Sequence, residues 1–210
     1  MRRICGALAI GVLALAPLSA HGQQPGAPAD SRASELIAQS SAEGVFEAQP
    51  SDQVIVVRHA RSGLVCRLDP DNRNRLIIFP QAARGEDVAC DSTDGTESVT
   101  LYATRLSFEV TPQQLIEGAV TAIRERFPDA RELPLADAPD SPPLVQSAQF
   151  MVTRDGAPYY TRVTVALVGP WVIKLRYTLA APDADAAQRG EAASNRIWNA
   201  TLSELAQQPL

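Results

Sequence analysis

Histidine is nearly missing from this chain: His21 and His59 are the two among 210 residues. A catalytic histidine pair is hard to assemble from them, and a triad would have to take His59 as its base. A Cys/His zinc site would need more ligands than the chain supplies, so neither a metal nor a cofactor is expected. Aromatic residues are scarce too, at 5%, so a core drawn from the 45% hydrophobic content must be mainly Val, Leu, Ile and Ala. There is no Gly-x-Ser-x-Gly segment to seat a nucleophilic serine. Positive charge is in deficit, 19 Lys and Arg against 24 Asp and Glu, for a net charge of −5. That balance gives no support for nonspecific nucleic-acid binding, which depends on displacing phosphate counterions with basic groups. Beyond the first two dozen residues, no apolar run reaches the roughly 20 residues of a membrane-spanning helix.

What is present starts at the beginning. Met1-Arg2-Arg3 is basic, residues 4–18 are apolar or small, and Leu18-Ser19-Ala20-His21-Gly22 offers small residues to a peptidase. Basic, apolar, then small is the order of a secretory signal peptide, predicted here over residues 1–22. Cleavage after Gly22 puts Ala20 and Gly22 at the two positions where small residues are wanted. Cleavage after Ala20 would put Leu18 at one of them. The mature chain is expected to be soluble, to reside in the periplasm or outside the cell, and, without Arg2 and Arg3, to carry −7. Cys5 leaves with the leader and lies too early to be a lipidated cysteine. Cys66 and Cys90 remain. Two cysteines in an exported chain predict a disulfide, worth about 3 kcal/mol for a loop of this length. A redox-active pair would be expected as Cys-x-x-Cys instead.

Residues 23–30 (Gln, Pro, Gly, Ala, Asp) read as a disordered lead-in, and residues 31–207 as a single domain. A short helix is predicted over 31–42. Strands follow over 54–57, 64–68, 76–79, 88–90 and 99–106. Thr111, Pro112 and Gln114 have the pattern of a capped helix start, and Leu115, Ala119, Ile123 and Phe127 form a stripe until Pro128 ends the helix. Residues 136–143 are rich in Pro, Asp and Ala and read as a surface loop. Strands over 144–154, 159–168 and 171–179 form a meander, turning at Asp155-Gly156, lengthened by Ala157 and Pro158, and at Gly169-Pro170. A last helix over 182–206 presents Ala193, Ile197, Thr201 and Leu205. The expected fold class is α+β, an antiparallel sheet with a C-terminal three-strand meander and helices packed on one face. Val163, Val165, Ile173, Leu175, Ile197 and Trp198 are expected in the core.

The segment Arg154-Asp155-Gly156-Ala157-Pro158-Tyr159-Tyr160, continued through residues 163–176 and the last helix carrying Trp198, resembles PsbP-like α/β/α sandwich domains. The resemblance covers about a third of the chain. It implies a small binding or accessory domain more readily than an enzyme, and names no ligand.

A second resemblance is confined to one motif. Residues 54–57 lead into Arg58-His59-Ala60-Arg61-Ser62, which is similar to the opening of the histidine phosphatase superfamily. That resemblance implies His59 as nucleophile and Arg58 as phosphate ligand. The family needs a second, late histidine, and none follows His59. The motif therefore reads as a chance match, a strand end turning into solvent. Glu86, Asp87, Asp91 and Asp94 crowd around Cys90 without the ligand order of a calcium loop, and read as a solvated acidic loop. The remaining candidates are Arg154, Arg162, Lys174 and Arg176 on the three meander strands. Simple register would gather them on one sheet face, as a patch for an anionic small ligand or an envelope protein. The functional expectation is a non-catalytic exported binding or accessory module. A divergent phosphatase or another envelope hydrolase is the alternative.

Overall fold

A computed structural model describes residues 29–135 and 145–207. The leader 1–22, most of the lead-in 23–30 and the loop 136–143 lie outside the described residues. The chain begins with α1 (Ala29–Gln39) and three strands, β1 (Phe46–Gln49), β2 (Ile55–His59) and β3 (Val65–Leu68). Next come β4 (Arg73–Ile78), β5 (Asp87–Thr93) and β6 (Glu97–Arg105), then α2 (Pro112–Arg126) and β7 (Arg131–Leu133). The meander is β8 (Val145–Arg154), β9 (Ala157–Val168) and β10 (Trp171–Ala180), closed by α3 (Ala184–Ala206).

The class is the one the sequence predicts: one α+β domain whose main sheet is antiparallel, with β8-β9-β10 as its meander and three helices packed against it. The main sheet runs β4-β5-β6-β10-β9-β8-β7, while β1-β2-β3 form a separate small sheet. The sequence reading lacks β1 and β7 and does not foresee the second sheet. Both missed strands are short, four and three residues, with no run of β-branched side chains to announce them.

Register in the meander is fixed by two-residue turns. Asp155 (φ 52) and Gly156 (φ 79) both take positive φ, the conformation that matches a tight hairpin to the twist of its strands. Arg154 therefore pairs with Ala157, and Thr153 with Pro158. The expectation that Ala157 and Pro158 lengthen this turn is corrected, since both lie within β9. Gly169 (φ 57) and Pro170 make the second turn, which sets Val168 opposite Trp171 and Arg162 opposite Tyr177.

The helices are divided between the two faces of the main sheet, not gathered on one. Trp171, Ile173, Leu175 and Tyr177 of β10 point into the larger core with α1, α3 and the small sheet. Contact is close there. A Cβ on Gly190 of α3 would sit 2.6 Å from the Tyr160 ring, so the helix lies on the strand only because that side chain is absent. On the opposite face, Val163 and Val165 of β9 with Ala148, Phe150 and Val152 of β8 pack beneath α2. Its cap is the one the sequence shows: Gln114 N–H donates to Thr111 Oγ1 at 3.2 Å, and Thr111 N–H to Gln114 Oε1 at 2.9 Å. The buried helix positions are Ile116 and Ile123, so Leu115 and Ala119 stand on the flank of the predicted stripe. In α3 the buried line is Ala186, Gly190, Ser194, Trp198, Thr201 and Leu205, with Ile197 beside it. Cys66 and Cys90 form a disulfide, Cα atoms 6.4 Å apart, that joins β3 of the small sheet to β5 of the large one.

Candidate anion-binding face

Arg154, Arg162, Lys174 and Arg176 do not share a face. Residues paired directly across an antiparallel ladder point the same way. Arg162 pairs with Tyr177 and so faces α3, where it is buried with 8% of its surface exposed. Its guanidinium lies 3.7 Å from Glu191 of α3 and 3.4 Å from the Ser147 hydroxyl, while among the described residues Nε and one terminal nitrogen have no hydrogen-bond partner. This is an interior ion pair between sheet and helix. Arg162 is corrected from a ligand-binding candidate to a packing residue.

Lys174 and Arg176 point to the other face, as does Arg154, which shares the side of Val152. There α2 packs on β8 and β9 and leaves the β10-β6-β5-β4 half without a helix over it among the described residues. The uncovered half carries a row running Arg176, Thr100, Asp91, Arg75 across β10, β6, β5 and β4. Beside it runs Thr178, Ser98, Thr93, Arg73. With strands about 4.8 Å apart, the Arg176 and Arg75 backbones stand about 14 Å from each other. A concavity of about 300 Å³ lies over these rows, rimmed by Arg73, Arg75, Arg126, Arg154 and Arg176, with Asp91 as the acidic group in its lining. Its floor is mainly hydroxyl: Thr93, Ser98, Thr100 and Thr178.

Asp91 is occupied. One of its oxygens accepts from Arg75 at 2.6 and 3.1 Å, the other from Thr100 at 2.8 Å. Arg154 lies 3.5 Å from the exposed Asp155 and over the Tyr159 ring. Among the described residues, no carboxylate comes within ion-pair distance of Arg73, Arg126 or Arg176. Burial, and then the neighbouring Arg126 cation, lower the Arg176 pKa from its ordinary value. Lys174 is lowered likewise by burial, and it sits 4.0 Å from the centre of the Tyr102 ring. Guanidinium groups crowded over hydroxyl donors can take an anion through paired hydrogen bonds, with the local field in its favour.

Sequence reasoning missed Arg73, Arg75 and Arg126. The signal for the first two is alternation in β4: Leu76 and Ile78 join the core, so Arg73, Arg75 and Ile77 take the opposite face. Nothing local marks Arg126, which reaches the site only because α2 ends there.

His59 has no exposed surface, which corrects the expectation of a strand end turning into solvent. It lies between Phe46 and Trp171, ring centres 5.4 and 5.3 Å away. Ser62 folds back on it: the Ser62 N–H donates to Nδ1 at 3.2 Å and the hydroxyl stands 2.7 Å away. Nδ1, as acceptor of the Ser62 N–H, carries no proton in the neutral ring, so the Ser62 hydroxyl, itself accepting from Leu64 N–H, donates to it and the ring hydrogen sits on Nε2. Nε2 meets no partner of good geometry, although the backbone of Gly85 lies close enough to favour protonation. Burial prevails and lowers the His59 pKa from 6.5 to about 4. Arg58 turns to Glu47, 3.3 Å away. A phosphoryl group has no path to this imidazole.

The acidic residues near Cys90 are dispersed. Glu86 binds Arg61 and Arg105, Asp87 accepts from Thr104, and Asp94 accepts from the backbone of Thr96 and Glu97 in its own turn. Among the described residues, no three His, Cys, Asp or Glu side chains converge on a metal-sized site, and no helix is long and apolar enough to cross a membrane.

No protein-family model matches the chain, and no curated protein matches it. Among solved structures it is similar to PA94 of Pseudomonas aeruginosa, a protein of unknown function, at 10% identity and a TM-score of 0.40, over 75% of this chain and 99% of that one. It is also similar to LpqN of Mycobacterium tuberculosis, involved in cell envelope biogenesis, at 8% identity and a TM-score of 0.40, over 76% of this chain and 94% of that one. Likenesses of this size carry no argument about what the chain does.

Proposed function

We propose that this protein is a non-catalytic binding module of an extracytoplasmic compartment, and that its ligand is an anion held on the uncovered half of the α2 face. One observation carries the reading: Arg73, Arg126 and Arg176 converge on a hydroxyl-floored concavity where, among the described residues, no carboxylate comes within ion-pair distance of them and Asp91 is already held by Arg75. In a chain of net charge −5, a local excess of guanidinium is a recognition feature for negative charge. The Cys66–Cys90 bridge supports an oxidising compartment, in keeping with the leader-like residues 1–22.

Calorimetric titration with inorganic pyrophosphate tests the site. Binding should weaken at least about tenfold when Arg126→Gln and Arg176→Gln are combined, and should weaken as salt is raised. Equal affinity in the wild type and the double variant would remove the reading.

A further inference from the structure

The arginine concavity has two neighbours on the same side of α2. On α2, the positions Leu115, Gly118, Ala119, Ala122 and Arg126 form one line along the helix, and all of them border cavities over the uncovered half of the sheet. Arg126 borders the arginine concavity. The other four border a second cavity of about 260 Å³, whose opposite wall is Val172 and Lys174 of β10 with Thr104 of β6. That cavity shares Leu106 and Val172 with a third, open one of about 590 Å³ beneath Phe108 and Val110. Lys174, which lines the second cavity, lies on Tyr102, which lines the arginine concavity, and so marks the boundary between the two.

The helix wall is low because its residues are small. A Cβ on Gly118 would meet nothing within 4 Å, and Ala122 is exposed. Phe108 is 66% exposed, the large hydrophobic side chain left in solvent among the described residues, and it stands at the end of the groove opposite the arginines. From Leu115 to Arg126 the helix advances about 16 Å. A purely hydrophilic anion would use the arginine end and leave the rest of this groove empty.

Resting on the anion-binding reading, we infer that the ligand is a single-chain amphiphile with an anionic head group. The head lies on Arg126 and Arg176, and the hydrocarbon runs past Lys174 along Ala122 and Ala119 towards Phe108. Charge complementarity orients it, since the arginines cluster at one end, Lys174 is drawn aside onto the Tyr102 ring, and the exposed Phe108 stands at the other end. The 260 Å³ middle cavity admits one chain.

Octanoate, decanoate and dodecanoate, titrated below their micelle thresholds alongside inorganic pyrophosphate, provide the test. Affinity for the alkanoates should rise about fourfold per methylene, about fifteenfold from octanoate to decanoate. Ala122→Asp, a change at an exposed position of the groove wall, should flatten that rise and leave pyrophosphate binding intact. Arg176→Gln should weaken every chain length by a similar factor. Pyrophosphate binding with no dependence on alkanoate length overturns this inference and leaves the anion site standing. Failure of pyrophosphate and alkanoates alike overturns both. Concentration-dependent dimerisation that Phe108→Asp abolishes, with no effect on alkanoate affinity, would assign the apolar end to a second copy of the chain and overturn the inference as well.

Discussion

The two faces of the main sheet show what separates an arginine that holds a fold from one that waits for a ligand. Arg162 and Arg176 stand on adjacent, directly paired strands, β9 and β10. On the closed face, α3 lies across the sheet, and Arg162 meets Glu191 and Ser147 within the protein. On the other face, α2 stops short of β10, and Arg176 has a second guanidinium, Arg126, as its charged neighbour. Both arginines are drawn from water. Among the described residues, only the first receives a counter-charge from the chain itself. The closed face is therefore where substitutions should change stability, and the open face where they should change binding.

The largest effect expected from this contrast is at Arg162. Replacing it with Ala removes the cation facing a carboxylate of which only 18% is exposed, and should cost about 3 kcal/mol in urea denaturation. Arg176→Ala, relieved of its neighbour's repulsion, should lie within about 0.5 kcal/mol of wild type. Equal losses at the two positions would dissolve the distinction between the faces.

Gly190→Ala sharpens the comparison by asking how tightly the closed face is packed. The new methyl would come within 2.6 Å of the fully buried Tyr160 ring, and overpacking of this kind should cost about 2 kcal/mol. Gly118→Ala on α2, where a Cβ meets nothing, should be neutral or stabilising through helix propensity. Thermal melts of the two variants give the answer, and an unchanged melting temperature for Gly190→Ala would show that α3 can lift from the sheet without loss.

A smaller and graded effect comes from His59. Its native pKa of about 4 lies below its ordinary 6.5, so between these values the unfolded chain holds a proton that the native one does not. Stability must then fall as pH drops through 6.5 and level off below about 4, with about 2 kcal/mol lost between pH 7 and 5. Urea denaturation across that range should show the slope in the wild type and a flatter one in His59→Gln. Parallel slopes would mean that His59 is not the titrating group.

Much of this architecture was legible. Residues 99–106, 144–154, 159–168 and 171–179 announce themselves by alternation and turn residues, α2 by its capping box, and the disulfide by cysteine count. The sheet face taken by Arg162 was also within reach. If Gly169-Pro170 is the whole turn, Val168 opposes Trp171, and counting back places Arg162 opposite Tyr177 on the apolar side. A shift of one residue would reverse that assignment, which is why register and not composition decides it. What could not be read was the assembly of the arginine rim. Its members come from β4, α2, β8 and β10, and they meet through tertiary packing that no local spacing encodes. The Arg58-His59-Ala60 motif is the reverse case, conspicuous in sequence and sealed in the core.

The order of strands also governs when this protein can fold. The middle strand of the main sheet, β10, is the last in chain order among the described strands, and it pairs with β6 across an intervening stretch that includes α2, β7, β8 and β9. Until residues 171–180 are available, β4-β5-β6 and β7-β8-β9 are two ribbons with unpaired inner edges, and the rings of Phe46 and His59 lack the Trp171 that covers them. Such non-local pairing makes folding slow, because the long loop must close before its contacts can stabilise it. The main sheet therefore cannot close before residues 171–180 have been made, and until then its two halves wait for the strand that joins them.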